Sequence, residues 1–213
     1  MKRFRLTTLI VISLIGISST KEEATSEKEV YDTREIVFYG YDYTHFRLAD
    51  VKRLDEDLKK HVFYWIGFCQ DRITEKKLRS VLDKEKVTFN FDPTLAVNKK
   101  LNSDDLGAIT KVTISKDSIQ SYINEYELSE KEGVGFVVIL ECFDNAGKRT
   151  SGYFTFFDIA TKQVLKSDYV SSREGILSYN RVSDWGSAVV IAFEKYLDVY
   201  ADNKKAYKRM GKR

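Results

Sequence analysis

Residues 134–170 constrain the fold most, because they read as three consecutive strands joined by two short connections. The stretch VGFVVILECF has apolar side chains on both faces, which predicts a central strand that is covered on both sides. The turn DNAG, residues 144–147, leads into a second strand, SGYFTFFDI. The sequence ATK, residues 160–162, leads into a third, KQVLKSDYV. Short turns between neighbouring strands predict an antiparallel meander.

The rest of the chain alternates between strand and helix patterns. Residues 34–43 and 86–91 predict strands by their β-branched and aromatic content, whereas 62–69 fits either a buried strand or a turn of helix. Apolar residues at helical spacing predict helices in the segments 51–58, 74–83, 115–126 and 184–201. The pair Asp92–Pro93 predicts the start of a further short helix, which should end near Leu101. These patterns predict an α/β (α+β) fold with a mixed, largely antiparallel sheet, packed helices and an amphipathic C-terminal helix after the meander.

The N-terminus has the pattern of a secretory signal peptide. A cationic start, Met1–Arg5, precedes an uncharged apolar run and then small residues at 16–20. The apolar run is about a dozen residues long, short of the roughly 20 that a membrane-spanning helix needs, so a retained anchor is the less favoured alternative. We therefore expect residues 1–20 to be removed after export and the mature protein to be periplasmic or secreted.

Two flanking segments are expected to lie outside the globular part. Residues 21–33 are charged and almost free of apolar side chains, which predicts a flexible acidic linker. Residues 204–213 carry six cations and no acid, which predicts a frayed basic tail, with contact to an anionic surface as the alternative. Residues 34–203 are then expected to form a single α/β domain.

The net charge of the chain bears on which class of partner is expected. The chain has 35 lysines and arginines against 32 acids, and three of the cations, Lys2, Arg3 and Arg5, belong to the predicted signal. Removing residues 1–20 leaves 32 cations and 32 acids, so the mature protein is formally neutral. A broad electrostatic footprint for nucleic acid is absent, and no nucleic-acid partner is expected.

Histidine and cysteine offer little for metal or nucleophile chemistry. His45 and His61 are the only histidines and fit no zinc-ligand spacing, so neither a metal nor a cofactor is predicted. A nucleophile pair of Cys69 with His61 is disfavoured, because an apolar run should raise the pKa of the Cys69 thiol. In an oxidising compartment Cys69 and Cys142 have the option of forming a disulfide, and two buried free thiols are the equal alternative.

Two acids in apolar strand sequence are the catalytic candidates. Glu141 and Asp158 would give an exported hydrolase if they formed a buried general acid–base pair. The alternative is structural: Glu141 meets a cation or a sheet margin, and Asp158 caps the turn before Thr161 through its side chain.

Two features are candidates for ligand or partner binding. An aromatic strip with alternating spacing should share one face of a strand and suits sugars or peptides, unless a helix covers it; its members are Tyr39, Tyr41, Tyr43 and His45. The second is the long loop 171–183, which carries the apolar residues Ile176, Leu177 and Tyr179. The alternative for this loop is that the three side chains plug the end of the sheet.

The stretch GVGFVVILECFDNAGKRTSGYFTFFDIATKQVLKSDY, with YGYDYTHFRLAD and WIGF upstream, resembles a family of exported, uncharacterised proteins of Bacteroidetes. The resemblance implies location and carries no catalytic residues. The order of elements is also loosely similar to small periplasmic accessory domains, such as the N-terminal domain of the Tol-system propeller protein.

We therefore expect a non-enzymatic interaction module that binds another envelope macromolecule. An exported hydrolase and a small-ligand (sugar or peptide) binder are the alternatives.

Overall fold

The computed structural model describes residues 27–50, 58–173 and 182–210. Its strands are β1 (Glu35–Asp42), β2 (Arg47–Ala49), β3 (Lys86–Phe89), β4 (Gly107–Ala108), β5 (Val134–Asp144), β6 (Arg149–Asp158) and β7 (Val164–Arg173). Its helices are α1 (27–32), α2 (Leu58–Arg72), α3 (Glu75–Leu82), α4 (Asp92–Asn98), α5 (Ile119–Asn124) and α6 (Val182–Met210). Single 3-10 turns occupy Ser103–Asp105 and Lys116–Ser118. None of the helices within these ranges has the length and apolar character needed to span a membrane.

Strand β5 lies at the centre of the sheet. Along one edge it pairs antiparallel with β6, which pairs antiparallel with β7. Along its other edge it pairs parallel with β1 through residues 134–139 and then parallel with β2 through residues 142–144. Strand β3 lies parallel outside β1, and β4 lies parallel outside β2. The half of the sheet built from β1 to β5 is therefore entirely parallel.

The prediction of a largely antiparallel sheet is wrong. Helices α2 and α3 carry the chain from the end of β1 back to the start of β3, and a helical crossover of this kind makes the two strands parallel. Antiparallel pairing is confined to β5, β6 and β7, where tight turns join consecutive strands. The ambiguous segment 62–69 is helical and lies inside α2.

Apolar side chains cover both faces of the sheet. The larger core lies between one face and helices α1, α2, α3 and α6. The smaller core lies between the other face and α5 with the chain around it. On β5, Phe136 and Val138 point into the larger core, whereas Val137 and Ile139 point into the smaller one. The prediction of a central strand that is covered on both sides is therefore confirmed for β5.

Helix α4 completes the edge of β1 beyond the end of β3. The amide Nδ2 of Asn98 donates to the carbonyl of Tyr41 at 2.8 Å, and its Oδ1 accepts from the N–H of Tyr43 at 2.8 Å. The hydroxyl of Thr94 donates to the carbonyl of Tyr39. Thr94 and Asn98 are buried, and their side chains bind the backbone groups that a neighbouring strand would otherwise bind.

The predicted linker is helical over residues 27–32. Residues 27–32 form α1, which buries Val30 and Tyr31 in the larger core. The prediction of a flexible segment is therefore wrong for 27–32, because these two apolar side chains give α1 a face to bury. Residues 21–26 of that prediction lie outside the described residues.

The predicted basic tail is also helical up to Met210. Helix α6 continues through residues 204–210, and the buried Lys204 donates from Nζ to the carbonyls of Leu82 and Asp83 at the end of α3. A cation at the C-terminal end of a helix is favoured by the helix dipole. The frayed-end prediction fails here because α6 docks its last turns on α3.

Lys84 occupies a similar position at the end of α1. Its Nζ donates to the carbonyl of Val30 at 2.6 Å and to the carbonyl of Thr33 at 2.9 Å. Burial, and to a smaller extent the nearby charge of Lys204, lowers the pKa of Lys84 from 10.5 to about 7. The amine thus satisfies two buried carbonyls but is costly to keep charged.

We expect Lys84 to make the protein more stable as the pH rises from about 7 to about 9. Its folded pKa lies below its unfolded pKa, so the unfolded chain binds more protons in this window and raising the pH favours the folded state. The gain in the free energy of unfolding should be about 2 kcal/mol. Urea unfolding of the wild type and of Lys84→Met at the two pH values checks this. Burial also raises the pKa of the Cys69 and Cys142 thiols, but their titration is common to both proteins and cancels in the difference. Equal pH slopes in the two proteins would contradict the prediction.

Candidate functional site

An exposed irregular segment, residues 109–113 with the sequence ITKVT, follows β4. Four of its five residues are β-branched, a composition that is typical of strands. Within the described part of the chain, however, the segment pairs with no strand. The side chain of Ile109 is 93% exposed and that of Val112 is 36% exposed. We call residues 109–113 the presented segment.

The residue that follows, Ile114, fixes the end of the presented segment to the sheet. Its N–H donates to Oε1 of Glu141 at 2.8 Å, and its carbonyl accepts from the hydroxyl of Tyr153 at 2.9 Å. Glu141 belongs to β5 and Tyr153 to β6. Side chains from two central strands therefore satisfy both backbone groups of Ile114.

Glu141 is the centre of a buried polar network. The residue is 1% exposed, and its carboxylate Oε2 accepts from the hydroxyl of Ser151 at 2.7 Å and from the hydroxyl of Tyr169 at 2.9 Å. With the N–H of Ile114, three donors satisfy this buried acid, as the burial of a charge requires. The Tyr169 hydroxyl also accepts from Lys111 Nζ at 3.4 Å, which places the ammonium group of the presented segment one hydroxyl away from the carboxylate.

A third contact fixes Val112. Its backbone hydrogen-bonds the Cys142 thiol of β5, while burial raises the pKa of that thiol. A buried thiol with a raised pKa is a poor nucleophile. Cys142 therefore acts as a packing and hydrogen-bonding group, and the presented segment is held at Lys111 and Val112 and, directly after its end, at Ile114.

The two catalytic candidates are not brought together. Asp158 pairs with Val134, which lies seven residues before Glu141 on β5, so the two acids are separated by about 23 Å along the strands. The Asp158 carboxylate accepts from the N–H of Thr161 at 2.7 Å and from its hydroxyl at 2.6 Å, which is the capping alternative. The carboxylate pair predicted for a hydrolase is therefore wrong.

The cysteines are free and do not face each other. Cys69 lies in the larger core, and its thiol donates to the carbonyl of Gly186 on α6 at 3.6 Å. Cys142 pairs with Ser151 on β6, two residues from Tyr153 of the smaller core, so its thiol points to the opposite face of the sheet. The described geometry therefore gives no disulfide between them.

The nucleophile pair of Cys69 with His61 is also not formed. The two residues are eight positions apart in α2, which is about 12 Å along the helix axis. Burial raises the pKa of the Cys69 thiol far above its usual range, so the thiol stays protonated. This position is a packing position, as the apolar run around Cys69 indicated.

The aromatic strip does not share one face. Gly40 has φ +86°, and the pairing of β1 shifts register between Phe38 and Tyr41, so the alternation breaks between Tyr39 and Tyr41. A Cβ at position 40 would lie 2.7 Å from the Phe91 ring, so this bulge requires glycine.

As a result, the rings of the strip separate into different surroundings. Tyr39 is buried in the smaller core, whereas Tyr41 and Tyr43 are buried in the larger core beneath α6 and α2. His45 stacks on Tyr122 with ring centroids 3.5 Å apart, and burial lowers its pKa. The prediction of an open aromatic strip is wrong.

The loop candidates Ile176, Leu177 and Tyr179 lie outside the described residues. Of the predicted loop, residues 171–173 belong to β7 and residues 182–183 belong to α6. In the ranges that the structure describes, no three His, Cys, Asp or Glu side chains are grouped so as to hold a metal ion.

Comparison with known proteins gives no relative for this chain: no family model matches it, and neither the curated proteins nor the solved structures contain a match. The resemblance to exported Bacteroidetes proteins therefore stays a prediction, and the presented segment is interpreted from its geometry alone. Sequence reasoning missed this segment, although the β-branched run ITKVTI between Gly107 and Ser115 was a usable signal.

Proposed function

We propose that this protein is an exported, non-enzymatic interaction module of the cell envelope, and that the presented segment with Tyr169 forms its binding surface. The observation that carries the proposal is an exposed irregular segment held by buried polar side chains of the central strands. Loops that a rigid scaffold positions are where proteins commonly place binding residues.

The energetics favour a surface that is ready to bind. Ordering an irregular segment costs about 1–2 kcal/mol per residue, and exposed side chains such as Ile109 return little of that cost by burial. Here the hydrogen bonds of Glu141, Cys142 and Tyr153 hold the segment before any partner arrives. A partner then binds without that ordering cost, which is the benefit of preorganisation.

The same geometry disfavours the enzymatic alternative. The carboxylate of Glu141 already accepts three hydrogen bonds and is almost fully buried, so a substrate has no route to it in this arrangement. Its contacts instead join β5 to β6, β7 and the presented segment. This is a positioning role.

Export is the part of the proposal that comes from the sequence alone, namely from the signal-like pattern at residues 1–20. It is tested by intact mass measurement of the protein purified from its own host. We expect the mass of a chain that has lost about 20 N-terminal residues. A full-length chain that retains Met1 and is recovered from the cytosol would overturn export.

Binding through the presented segment is tested by site-specific crosslinking. A photoreactive phenylalanine analogue replaces Val112 in the native host, and the matched control carries it at Lys76, an exposed position on α3. We expect a discrete crosslinked adduct from position 112 and none of the same mass from position 76. Excess wild-type protein co-expressed without the analogue should compete the adduct away, and Ile109→Asp should reduce it strongly.

Adducts of equal yield from positions 112 and 76, or no adduct from 112, would overturn the proposed surface. The substitution at Val112 alters an exposed side chain, so folding is checked by comparing the thermal midpoint with that of the wild type. An adduct yield that Ile109→Asp leaves unchanged would also contradict the proposed surface, because Ile109 is the most exposed apolar side chain of the segment.

A further inference from the structure

Two arginines lie side by side on the face of the sheet that carries the presented segment. Arg149 of β6 and Arg173 of β7 are direct cross-strand partners. On the same strands Ser151 pairs with Ser171, and Tyr153 pairs with Tyr169, so alternation places all these side chains on one face. Arg149 and Arg173 are both exposed.

Neither guanidinium group has a carboxylate within ion-pair distance among the residues that the structure describes. The nearest acid in the pairing, Asp144, is the partner of Arg149 on β5, but its carboxylate turns back to accept from the N–H of Gly147 at 2.9 Å. Like charges directly opposite each other destabilise a sheet. The arrangement therefore has a cost that an added anion would remove.

The arginine pair lies on the same strands and the same face as Tyr169 of the proposed binding surface. Arg173 lies four residues beyond Tyr169 on β7, about 13 Å along the strand. The Tyr169 hydroxyl contacts the ammonium group of Lys111. Three cations thus lie at the two ends of this stretch of the face, and between them Ser171 is half-buried and Ser151 is buried. Ile109 and Val112 of the presented segment are exposed.

We propose that the partner contributes an extended acidic polypeptide segment, whose carboxylates bind Arg149 and Arg173 at one end and Lys111 at the other. The inference rests on the proposed function and specifies the chemistry of its ligand. Paired guanidinium groups suit carboxylates, because each offers two parallel N–H donors. The rise of about 13 Å along β7 from Tyr169 to Arg173 corresponds to about four residues of an extended chain.

The surroundings favour a polypeptide over a nucleic acid or another polyphosphate. The exposed side chains of Ile109 and Val112 offer apolar contacts on the same segment as Lys111, which suits a peptide with mixed acidic and apolar side chains. A polyphosphate binder needs a wide field of positive charge, whereas this chain without residues 1–20 has 32 cations and 32 acids.

The test is binding of synthetic peptides to the purified protein by fluorescence anisotropy. The probe is a labelled peptide of alternating glutamate and valine, and its matched control replaces each glutamate with glutamine. We expect the glutamate peptide to bind at least about tenfold more tightly, and Arg149→Gln with Arg173→Gln to remove at least about tenfold of that affinity. The control variant, Lys76→Gln with Arg79→Gln on α3, changes the same net charge and should bind as the wild type does.

Equal binding of the two peptides, no binding of either peptide, or equal losses in the two double variants would overturn the inference. Tighter binding of a polyphosphate of matched charge would overturn the class of partner. Because like-charge repulsion is removed, the Arg149 and Arg173 variant should melt no lower than the wild type, so a loss of binding reports the site. If the peptide binding contradicts the inference while position 112 still gives its specific adduct, the acidic ligand is rejected and the proposed function is retained.

Discussion

Replacing Asn98 with alanine is expected to lower the free energy of unfolding by about 3 kcal/mol. The side chain is fully buried, and its amide binds the carbonyl of Tyr41 and the N–H of Tyr43. Alanine leaves both backbone groups without partners in a place that water reaches poorly, and each unsatisfied group costs about 1–3 kcal/mol. Urea unfolding followed by circular dichroism measures the loss.

Two further variants test this interpretation of Asn98. Asn98→Asp keeps an acceptor for Tyr43 but places a carboxylate oxygen against the Tyr41 carbonyl, so it should be at least as destabilising as alanine. Asn124→Ala removes an exposed amide on α5 and should change the stability by less than about 0.5 kcal/mol. A loss at Asn98 no larger than that at Asn124 would show that another group satisfies the β1 backbone.

The contact between α4 and β1 could not be predicted from the local sequence. The pair Asp92–Pro93 correctly predicted the start of α4, because proline tolerates the first turn of a helix. Nothing local indicated that Asn98 would act as the neighbour of a strand, since its partners lie 55 and 57 positions earlier in the chain. Contacts of this range depend on the topology, which the helix pattern does not determine.

The same limit explains the error in the sheet. Strands β5, β6 and β7 are joined by tight turns, and a tight turn allows only antiparallel pairing, so local residues were sufficient there. The order strand–helix–strand in the first half of the chain required parallel pairing by the crossover rule. The sequence pattern identified the strands and helices. The rule that two strands joined by a helical crossover run parallel was not applied to them.

The candidate site was predicted in part, and with the wrong chemistry. Glu141 stood out as an acid in an apolar strand, and the structure makes it the centre of a polar network. The sequence paired it with Asp158, because distance between two strand acids is not visible without the register. The register instead places it beside Ser151 and Tyr169 and under the presented segment.

Replacing Glu141 with alanine is expected to cost about 3 kcal/mol and to release the presented segment. The substitution removes the acceptor of the Ile114 N–H and of the Ser151 and Tyr169 hydroxyls. The hydroxyls can rotate toward other partners, whereas the N–H cannot, so the largest local effect should fall at Ile114. Hydrogen exchange of residues 109–114 should accelerate by at least about tenfold, measured by mass spectrometry beside urea unfolding.

Two matched variants separate the release of the segment from a general loss of stability. Glu141→Gln keeps an oxygen for the Ile114 N–H, so it should restore most of the protection at residues 109–114 while costing about 1 kcal/mol. Asp158→Ala removes a turn cap at the far end of the strands, so it should lower the stability by about 1 kcal/mol and leave that protection unchanged. If Glu141→Ala lowered the stability and left hydrogen exchange at residues 109–114 as in the wild type, the carboxylate would stabilise only the sheet. The contacts with Cys142 and Tyr153 would then hold the presented segment, and binding through it would not depend on the buried acid.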